Sequence, residues 1–209
     1  MMNNKKILLR SLNAALLSAI SFNACADLIT FDDIDTSISS ALVPDNYRGF
    51  EWSNTFVAIN GTKPLWVGTG YEHGMVSGPN VGVNGGGDSV YFSSKTPFDL
   101  HSMYVTKAWH DGITHFDGYI GTTLTYSVDV FSTTLAPTFV TFDWSGINKV
   151  VMSDGDYTMQ SAIDNIDYVL LDPIPDPAPN PVPEPQTYAM LIAGIGILGI
   201  ARTYRIKAS

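Results

Sequence analysis

Acidic side chains near both ends of the central segment, residues 27–171, could together bind a divalent cation. Asp32 and Asp33 lie close to its start, and Asp164 lies close to its end. Between Ala162 and Leu170 the apolar residues alternate in step with Asp164, which would direct its carboxylate toward the core. A buried carboxylate needs either a cation or several hydrogen-bond donors. The three aspartates are therefore candidate ligands of a structural calcium ion, which prefers oxygen ligands; hydrogen bonds from the backbone are the alternative.

Two histidines that each lie near an aspartate could bind zinc or transfer protons. His110 precedes Asp111, and His115 lies two residues before Asp117. Imidazole ligates metals and exchanges protons near neutral pH. A predicted turn at Asp111 separates the two histidines, and their spacing does not place them on a common side, so exposed loop histidines are the alternative. The serine, histidine and aspartate residues are too dispersed along the chain to define a catalytic triad.

Two aromatic residues could bind a sugar, because the face of an aromatic ring can stack on a pyranose ring. Trp66 and Tyr71 lie in the glycine-rich segment 61–88, whose turn residues predict long loops at the rim of the domain. The other tryptophans lie in predicted strands, where aromatic residues mostly belong to the core: they are Trp52, Trp109 and Trp144. Trp66 and Tyr71 are therefore the candidate glycan-binding residues.

The elements that must position these side chains are predicted to be strands. Nine short β-favouring runs recur between turn residues, and no stretch has a helical period: they cover 28–34, 49–59, 89–93, 98–109, 115–120, 123–131, 138–144, 149–153 and 162–171. In 123–131, Leu124, Tyr126, Val128 and Val130 alternate with polar residues, which is typical of strands in a sandwich. The sequence predicts one all-β domain over residues 27–171, an antiparallel jelly-roll-like β-sandwich.

The charge distribution excludes some classes of partner. All but one of the 20 Asp and Glu residues lie between Asp27 and Val182, together with 5 of the 11 Lys and Arg residues. Nucleic acids and anionic membrane surfaces bind positive charge. The central domain is therefore not expected to bind nucleic acid.

The N-terminus has the order of features found in an export signal. Basic residues come first, at Lys5, Lys6 and Arg10. An apolar stretch over 11–22 follows, and the small-residue site Ala24-Cys25-Ala26 ends the segment. This order predicts a signal peptide over residues 1–26, cut by signal peptidase after Ala26, rather than a lipoprotein signal or a buried amphipathic helix. Cleavage would remove the only cysteine, which excludes cysteine chemistry in the mature chain.

The C-terminus predicts a spacer followed by a membrane anchor. Every second residue from 173 to 185 is proline, so 172–185 is predicted to be an extended linker. The apolar run 187–201 is predicted to form a transmembrane helix. The basic tail 202–209 follows, with Arg202, Arg205 and Lys207, and is expected to stay in the cytoplasm while the domain lies outside.

The tetrapeptide Val182-Pro183-Glu184-Pro185, the apolar helix and the basic tail together resemble the PEP-CTERM sorting signal, over residues 182–207. The resemblance implies export across the inner membrane of a Gram-negative bacterium. It also implies recognition by an exosortase, a membrane cysteine transpeptidase that processes its substrates near the Pro-Glu-Pro motif. The same tail is catalogued as the ice-binding protein C-terminal domain, a label that predicts nothing about ice.

The central domain resembles the sandwich domains of PEP-CTERM proteins in three motifs: Phe31-Asp32-Asp33, the run 47–52 and the run 163–168. More distantly these resemble carbohydrate-binding jelly rolls, whose first and last strands often share a structural calcium. We therefore expect a non-enzymatic protein of the cell envelope or extracellular matrix, serving adhesion or exopolysaccharide association. A secreted glycan-acting hydrolase is the alternative, although the sequence contains no compact catalytic motif.

Overall fold

The computed structural model describes residues 26–154 and 159–171. Ten strands are found in these residues: β1 (Asp27–Ile29), β2 (Ser40–Leu42), β3 (Glu51–Trp52), β4 (Phe56–Asn60), β5 (Asn80–Asn84), β6 (Val90–Lys107), β7 (Gly112–Ile120), β8 (Thr123–Ser132), β9 (Thr138–Ser153) and β10 (Ser161–Leu170). One short helix, α1 (Gly70–His73), and the 3-10 turns Tyr47–Gly49, Pro64–Trp66 and Gly85–Gly87 lie between strands.

The strands pair antiparallel throughout, in the order β2-β4-β5-β10-β6-β9-β7-β8. β1 pairs with the second half of β10, and β3 pairs with the start of β6. The register between β6 and β9 shifts three times between Ser93 and Ser102. Such bulges bend strands, so these two long strands are expected to bend along their length. The predicted all-β antiparallel sandwich is confirmed.

The core between the layers is rich in aromatic rings. Phe50 is fully buried and makes edge-to-face contacts with Phe92, Phe98 and Tyr168 at centroid distances of 5.4, 4.9 and 4.9 Å. Such pairs add stability beyond the area they bury, about 0.5–1.5 kcal/mol each. The Tyr47–Trp52 segment, identified above as a motif, therefore anchors the core.

The alternation predicted for 123–131 is present in β8 from Tyr126 to Val130, but Leu124, which was predicted to lie on the same face, is 51% exposed. Tyr126, Val128 and Val130 pack against the core, whereas Ser127 and Asp129 face solvent. Other strand boundaries differ from the prediction. The runs 89–93 and 98–109 form the single strand β6, and 138–144 and 149–153 form the single strand β9, because bulges rather than turns separate their halves.

The prediction that 61–88 is entirely loop is wrong at β5, which has the sequence Asn-Val-Gly-Val-Asn. All five residues are buried, because β5 lies between β4 and β10 and is covered on both faces. One cover is the chain from 61 to 79, which packs Tyr71 against Val81, Val83 and Ala162 in a second, smaller core. The segment thus contributes a central strand as well as loops.

No helix among the described residues is long and apolar enough to cross a membrane. The predicted linker 172–185, transmembrane helix 187–201 and tail 202–209 lie outside the described residues. So do Ala24 and almost all of the predicted signal peptide.

Candidate functional site

An aromatic cluster lies over the second core, and we call Trp66, Tyr71, Trp109 and Gln160 the Trp109 cluster. The centroid of the Tyr71 ring lies 5.0 Å from that of Trp66 and 5.4 Å from that of Trp109, both in edge-to-face contact. Gln160 Oε1 accepts hydrogen bonds from the Tyr71 hydroxyl and, at 2.9 Å, from Trp109 Nε1. One glutamine therefore fixes the positions of two rings.

Local structure explains how the cluster forms. Trp66 ends a 3-10 turn that begins at Pro64, and Tyr71 lies in α1, where the Thr69 hydroxyl accepts a hydrogen bond from the Tyr71 amide at 3.3 Å. Gly70 N donates to the Ala108 carbonyl at 2.9 Å. A Cβ at Gly70 would lie 1.8 Å from the Lys107 carbonyl oxygen, so only glycine allows α1 to approach the end of β6 this closely.

The members of the Trp109 cluster differ in exposure. Tyr71 is only 1% exposed, so neither face of its ring is open to a ligand, and it supports the other rings from below. Burial raises the pKa of its hydroxyl, which stays protonated and donates to Gln160. Trp66 is half-buried, and Trp109 is 43% exposed. The glycan-binding role of Trp66 and Tyr71 stays a prediction, and Trp109 is the ring that meets solvent.

The assignment of Trp109 to a buried strand was wrong. β6 ends at Lys107, and Trp109 lies in the turn that leads to β7. The sequence contained a signal for this, because Asp111-Gly112 follows directly and favours a turn. Trp52 and Trp144, by contrast, are buried in strands as predicted.

Two of the three predicted calcium ligands lie together. Asp164 is fully buried and accepts backbone hydrogen bonds from Val76, Ser77 and Asn165 at 2.8, 3.0 and 2.7 Å. The Ser77 hydroxyl lies 3.3 Å from Asp32 Oδ2 and 3.5 Å from Asp164 Oδ1, between the two carboxylates. The pKa of Asp164 is raised to about 6, chiefly by burial; the three backbone donors oppose this rise, and the nearby Asp32 carboxylate adds to it.

Asp33 does not join them. It forms an ion pair with Arg48 at 2.8 Å and accepts a hydrogen bond from the Tyr47 hydroxyl at 2.5 Å. Both of its oxygens serve these contacts, so the structure does not bring it to Asp32 and Asp164, and its role as a calcium ligand stays a prediction. Within residues 26–154 and 159–171 no group of three or more His, Cys, Asp or Glu side chains is placed to hold a metal ion. The carboxylate of Asp164 accepts hydrogen bonds from backbone N–H groups, which were the alternative to a calcium ion.

The two histidines of the predicted cluster do not form one site. His110 is exposed in the turn after β6. His115 lies on the outer face of β7, with Nδ1 2.6 Å from Asp129 Oδ1 and Nε2 3.0 Å from Asp117 Oδ1. The Ser127 hydroxyl lies 3.3 Å from the same Nε2. Cross-strand pairing of β7 with β8 brings these residues together, which spacing along the chain did not reveal.

Ser127, His115 and Asp129 are connected in the order of a catalytic triad, but Asp117 changes the chemistry. The hydrogen bond with Asp129 and the charge of Asp117 raise the pKa of His115. A carboxylate at each nitrogen favours the protonated imidazole, which donates at both nitrogens, over the neutral ring that a catalytic base must present. Asp117 therefore opposes the use of His115 as a base toward Ser127.

Comparisons with known proteins identify one sorting motif at the C-terminal end of the chain. No curated protein sequence matches the chain. Among solved structures, a family 29 carbohydrate-binding module, CBM29_1 from Piromyces equi, is similar with a TM-score of 0.39 and 12% identity, covering 71% of this chain and 92% of that chain. The model of the PEP-CTERM protein-sorting motif matches residues 181–205. The chain therefore carries the PEP-CTERM sorting signal that Val182-Pro183-Glu184-Pro185 and the following residues predicted.

Proposed function

We propose that the protein is a non-enzymatic component of the cell envelope or extracellular matrix that binds extracellular polysaccharide through the Trp109 cluster. The sorting motif at residues 181–205 implies exosortase-dependent export to the envelope or the exterior of a Gram-negative bacterium. The observation that carries the proposal is a solvent-facing tryptophan held in place by a buried tyrosine and a glutamine.

The Trp109 cluster has the properties of a preorganised stacking surface. Gln160 holds one edge of the Trp109 indole, and the Tyr71 ring supports it at 5.4 Å, so little side-chain freedom is lost when a sugar binds. Leu65 and Val67, the chain neighbours of Trp66, are also exposed and extend the apolar surface.

The charge of the chain favours one class of glycan. The formal net charge is −9, and the acidic residues are concentrated in the central domain. Like charges repel over distances of about 10 Å at ordinary salt concentrations. We therefore expect neutral polysaccharides to bind in preference to polymers rich in uronic acid or sulfate.

Affinity electrophoresis of the exported protein in gels containing neutral or uronate-rich polysaccharides tests the proposal. We expect neutral polysaccharide to retard the protein, and Trp109→Ala to weaken the affinity about tenfold or more, the effect of removing a central aromatic anchor. Phe139→Ala is the matched control, since Phe139 is an exposed aromatic residue on β9, 57% accessible. Equal retardation of the wild type and Trp109→Ala, or no retardation in any gel, would contradict the proposal.

A secreted hydrolase acting on matrix glycans is the second candidate, and the carboxylates of Asp117 and Asp129 on either side of His115 favour it. Paired carboxylates are the usual catalytic groups of glycoside hydrolases. Release of reducing ends from a glycan panel, abolished in Asp117→Asn and Asp129→Asn, would support this candidate. A panel without any released sugar would remove it.

A further inference from the structure

A buried polar network connects the ends of four strands at a distance from the candidate calcium ligands. It consists of Asn84 at the end of β5, Lys107 at the end of β6, Asp154 just after β9 and Ser161 at the start of β10. The side chains of Lys107 and Asp154 have 0% exposure, and Lys107 Nζ lies 2.7 Å from Asp154 Oδ1. Asn84 and Ser161 are also fully buried.

Burial makes the amine of Lys107 a potential nucleophile. An ammonium and a carboxylate lose their hydration together, and their mutual attraction is often too weak to compensate. Moving the proton along the short hydrogen bond from Nζ to Oδ1 replaces two buried charges with a neutral amine and a neutral acid. A neutral amine has a free electron pair.

The amide of Asn84 is placed to be the electrophile. Asn84 Nδ2 donates to Asp154 Oδ2 at 2.8 Å, and Asn84 Oδ1 accepts from the Ser161 backbone N–H at 2.7 Å. The two partners fix the orientation of the amide, because a backbone N–H must face the oxygen and a carboxylate must face the nitrogen. The same carboxylate thus contacts the lysine amine and the asparagine NH₂ group, while a backbone donor polarises the carbonyl.

The sheet register puts the two side chains within reach of each other. Ser161 pairs with Lys107 on one side, and the next residue, Ala162, pairs with Val83 on the other. Asn84 and Lys107 are therefore two strand spacings apart, about 10 Å between Cα atoms. A lysine and an asparagine side chain laid end to end can span this distance.

We propose that Lys107 and Asn84 form an intramolecular isopeptide bond, with Asp154 as the catalytic acid and base. The proton of Nζ passes to Asp154, and the neutral amine attacks Asn84 Cγ, so that negative charge develops on the oxygen facing the Ser161 N–H. Asp154 protonates the departing NH₂ group, the Cγ–Nδ2 bond breaks, and Asp154 takes up a proton from the new amide nitrogen. One secondary amide and one molecule of ammonia are formed, and no oxidant or cofactor is needed.

The bond would join β5 to β6 across β10 and close the chain between residues 84 and 107 into a covalent loop. A cross-link of this kind restricts the unfolded chain in the way a disulfide does. The only cysteine of the sequence is Cys25, so a disulfide within this chain is not possible. An amide bond between side chains is a cross-link that a chain without a cysteine pair can form.

Mass spectrometry of the denatured wild-type protein tests the proposal directly. The expected mass is that of the chain less one molecule of ammonia. Trypsin cuts after unmodified lysine, so the expected digest contains a branched peptide in which residues 96–149, uncut at Lys107, are joined to the fragment containing Asn84. An intact mass equal to that of the unmodified chain, with normal cleavage after Lys107, would overturn the proposal without any variant having to fold.

Variants test the role of each group. We expect Asn84→Ala and Asp154→Asn to have the full mass of their unmodified chains. Lys95→Arg, which changes an exposed lysine, is the control and should still lose ammonia. A branched peptide in Asp154→Asn would overturn the assignment of Asp154 as the catalytic group.

Discussion

Asp164 stabilises the folded domain more at low pH than at neutral pH, whereas most carboxylates have the opposite effect. Its pKa is raised from 3.8 to about 6 in the folded state, chiefly by burial. The folded state therefore holds the proton more tightly than the unfolded state does. The stabilisation is fully present below pH 3.8 and is lost as the pH rises to about 6. A difference of this size corresponds to about 3 kcal/mol, at 1.36 kcal/mol per pKa unit.

The contribution of Asp164 can be isolated by comparison with Asp164→Asn, which has nearly the same shape and does not titrate. The free energy of unfolding of each protein is measured by urea denaturation from about pH 3.5 to about pH 7.5. The wild-type value minus the variant value should fall by about 3 kcal/mol across this range, because other titrating groups cancel in the difference. Asp45→Asn, at an exposed aspartate, is the control and should show no such fall.

A difference that does not change with pH, or that rises with pH, would refute this reasoning. The same titration examines the calcium hypothesis. A calcium ion bound by Asp32 and Asp164 would favour the charged carboxylates, so added calcium would raise stability near neutral pH and abolish the fall. Without a calcium effect, the backbone donors at Val76, Ser77 and Asn165, together with the Ser77 hydroxyl, are the compensation for burial that the described residues provide.

Two further predictions concern other parts of the domain. Gly70→Ala should lower the free energy of unfolding by about 2 kcal/mol or more, measured by urea denaturation. The reason is that a Cβ at this position would clash with the Lys107 carbonyl oxygen. An unchanged urea midpoint would contradict the close approach of α1 to β6. Asp129→Asn and Asp117→Asn should each lower the pKa of His115, measured by NMR titration, because both carboxylates raise it by a hydrogen bond and by their charge. An unchanged pKa in either variant would contradict the contact of that carboxylate with the imidazole.

The sequence predicted those parts of the fold in which one face of a strand is buried. β8 is such a strand, and its alternation was visible from Tyr126 to Val130. β5 was missed because it is buried on both faces and has no alternation to detect, and because its glycine and asparagines are typical of turns. The end of β6 was misplaced by two residues, which assigned Trp109 to the core.

The sites were harder to predict because they depend on pairing between distant strands. Asp129 and Ser127 reach His115 only through the β7–β8 register. Lys107 and Asn84 contact the same carboxylate, Asp154, because β6 and β5 both pair with β10 near Ser161. The sequence places Asp164 in step with the apolar residues of its strand, and its burial was predicted correctly. Two of the backbone groups that donate hydrogen bonds to it come from residues 76 and 77, in a loop with no periodic pattern.

Gln160 connects the Trp109 cluster to the network of Asn84 and Lys107. Its Oε1 accepts from Trp109 Nε1, and its Nε2 donates to the Asn84 carbonyl oxygen at 3.3 Å. Its backbone carbonyl accepts from the Ala108 amide at 2.8 Å. Gln160 therefore links the exposed Trp109 by hydrogen bonds to the strand ends that the proposed bond joins. A covalent link between those ends would limit their separation, and with it the loss of the stacking geometry at Trp109 on which the proposed glycan binding depends.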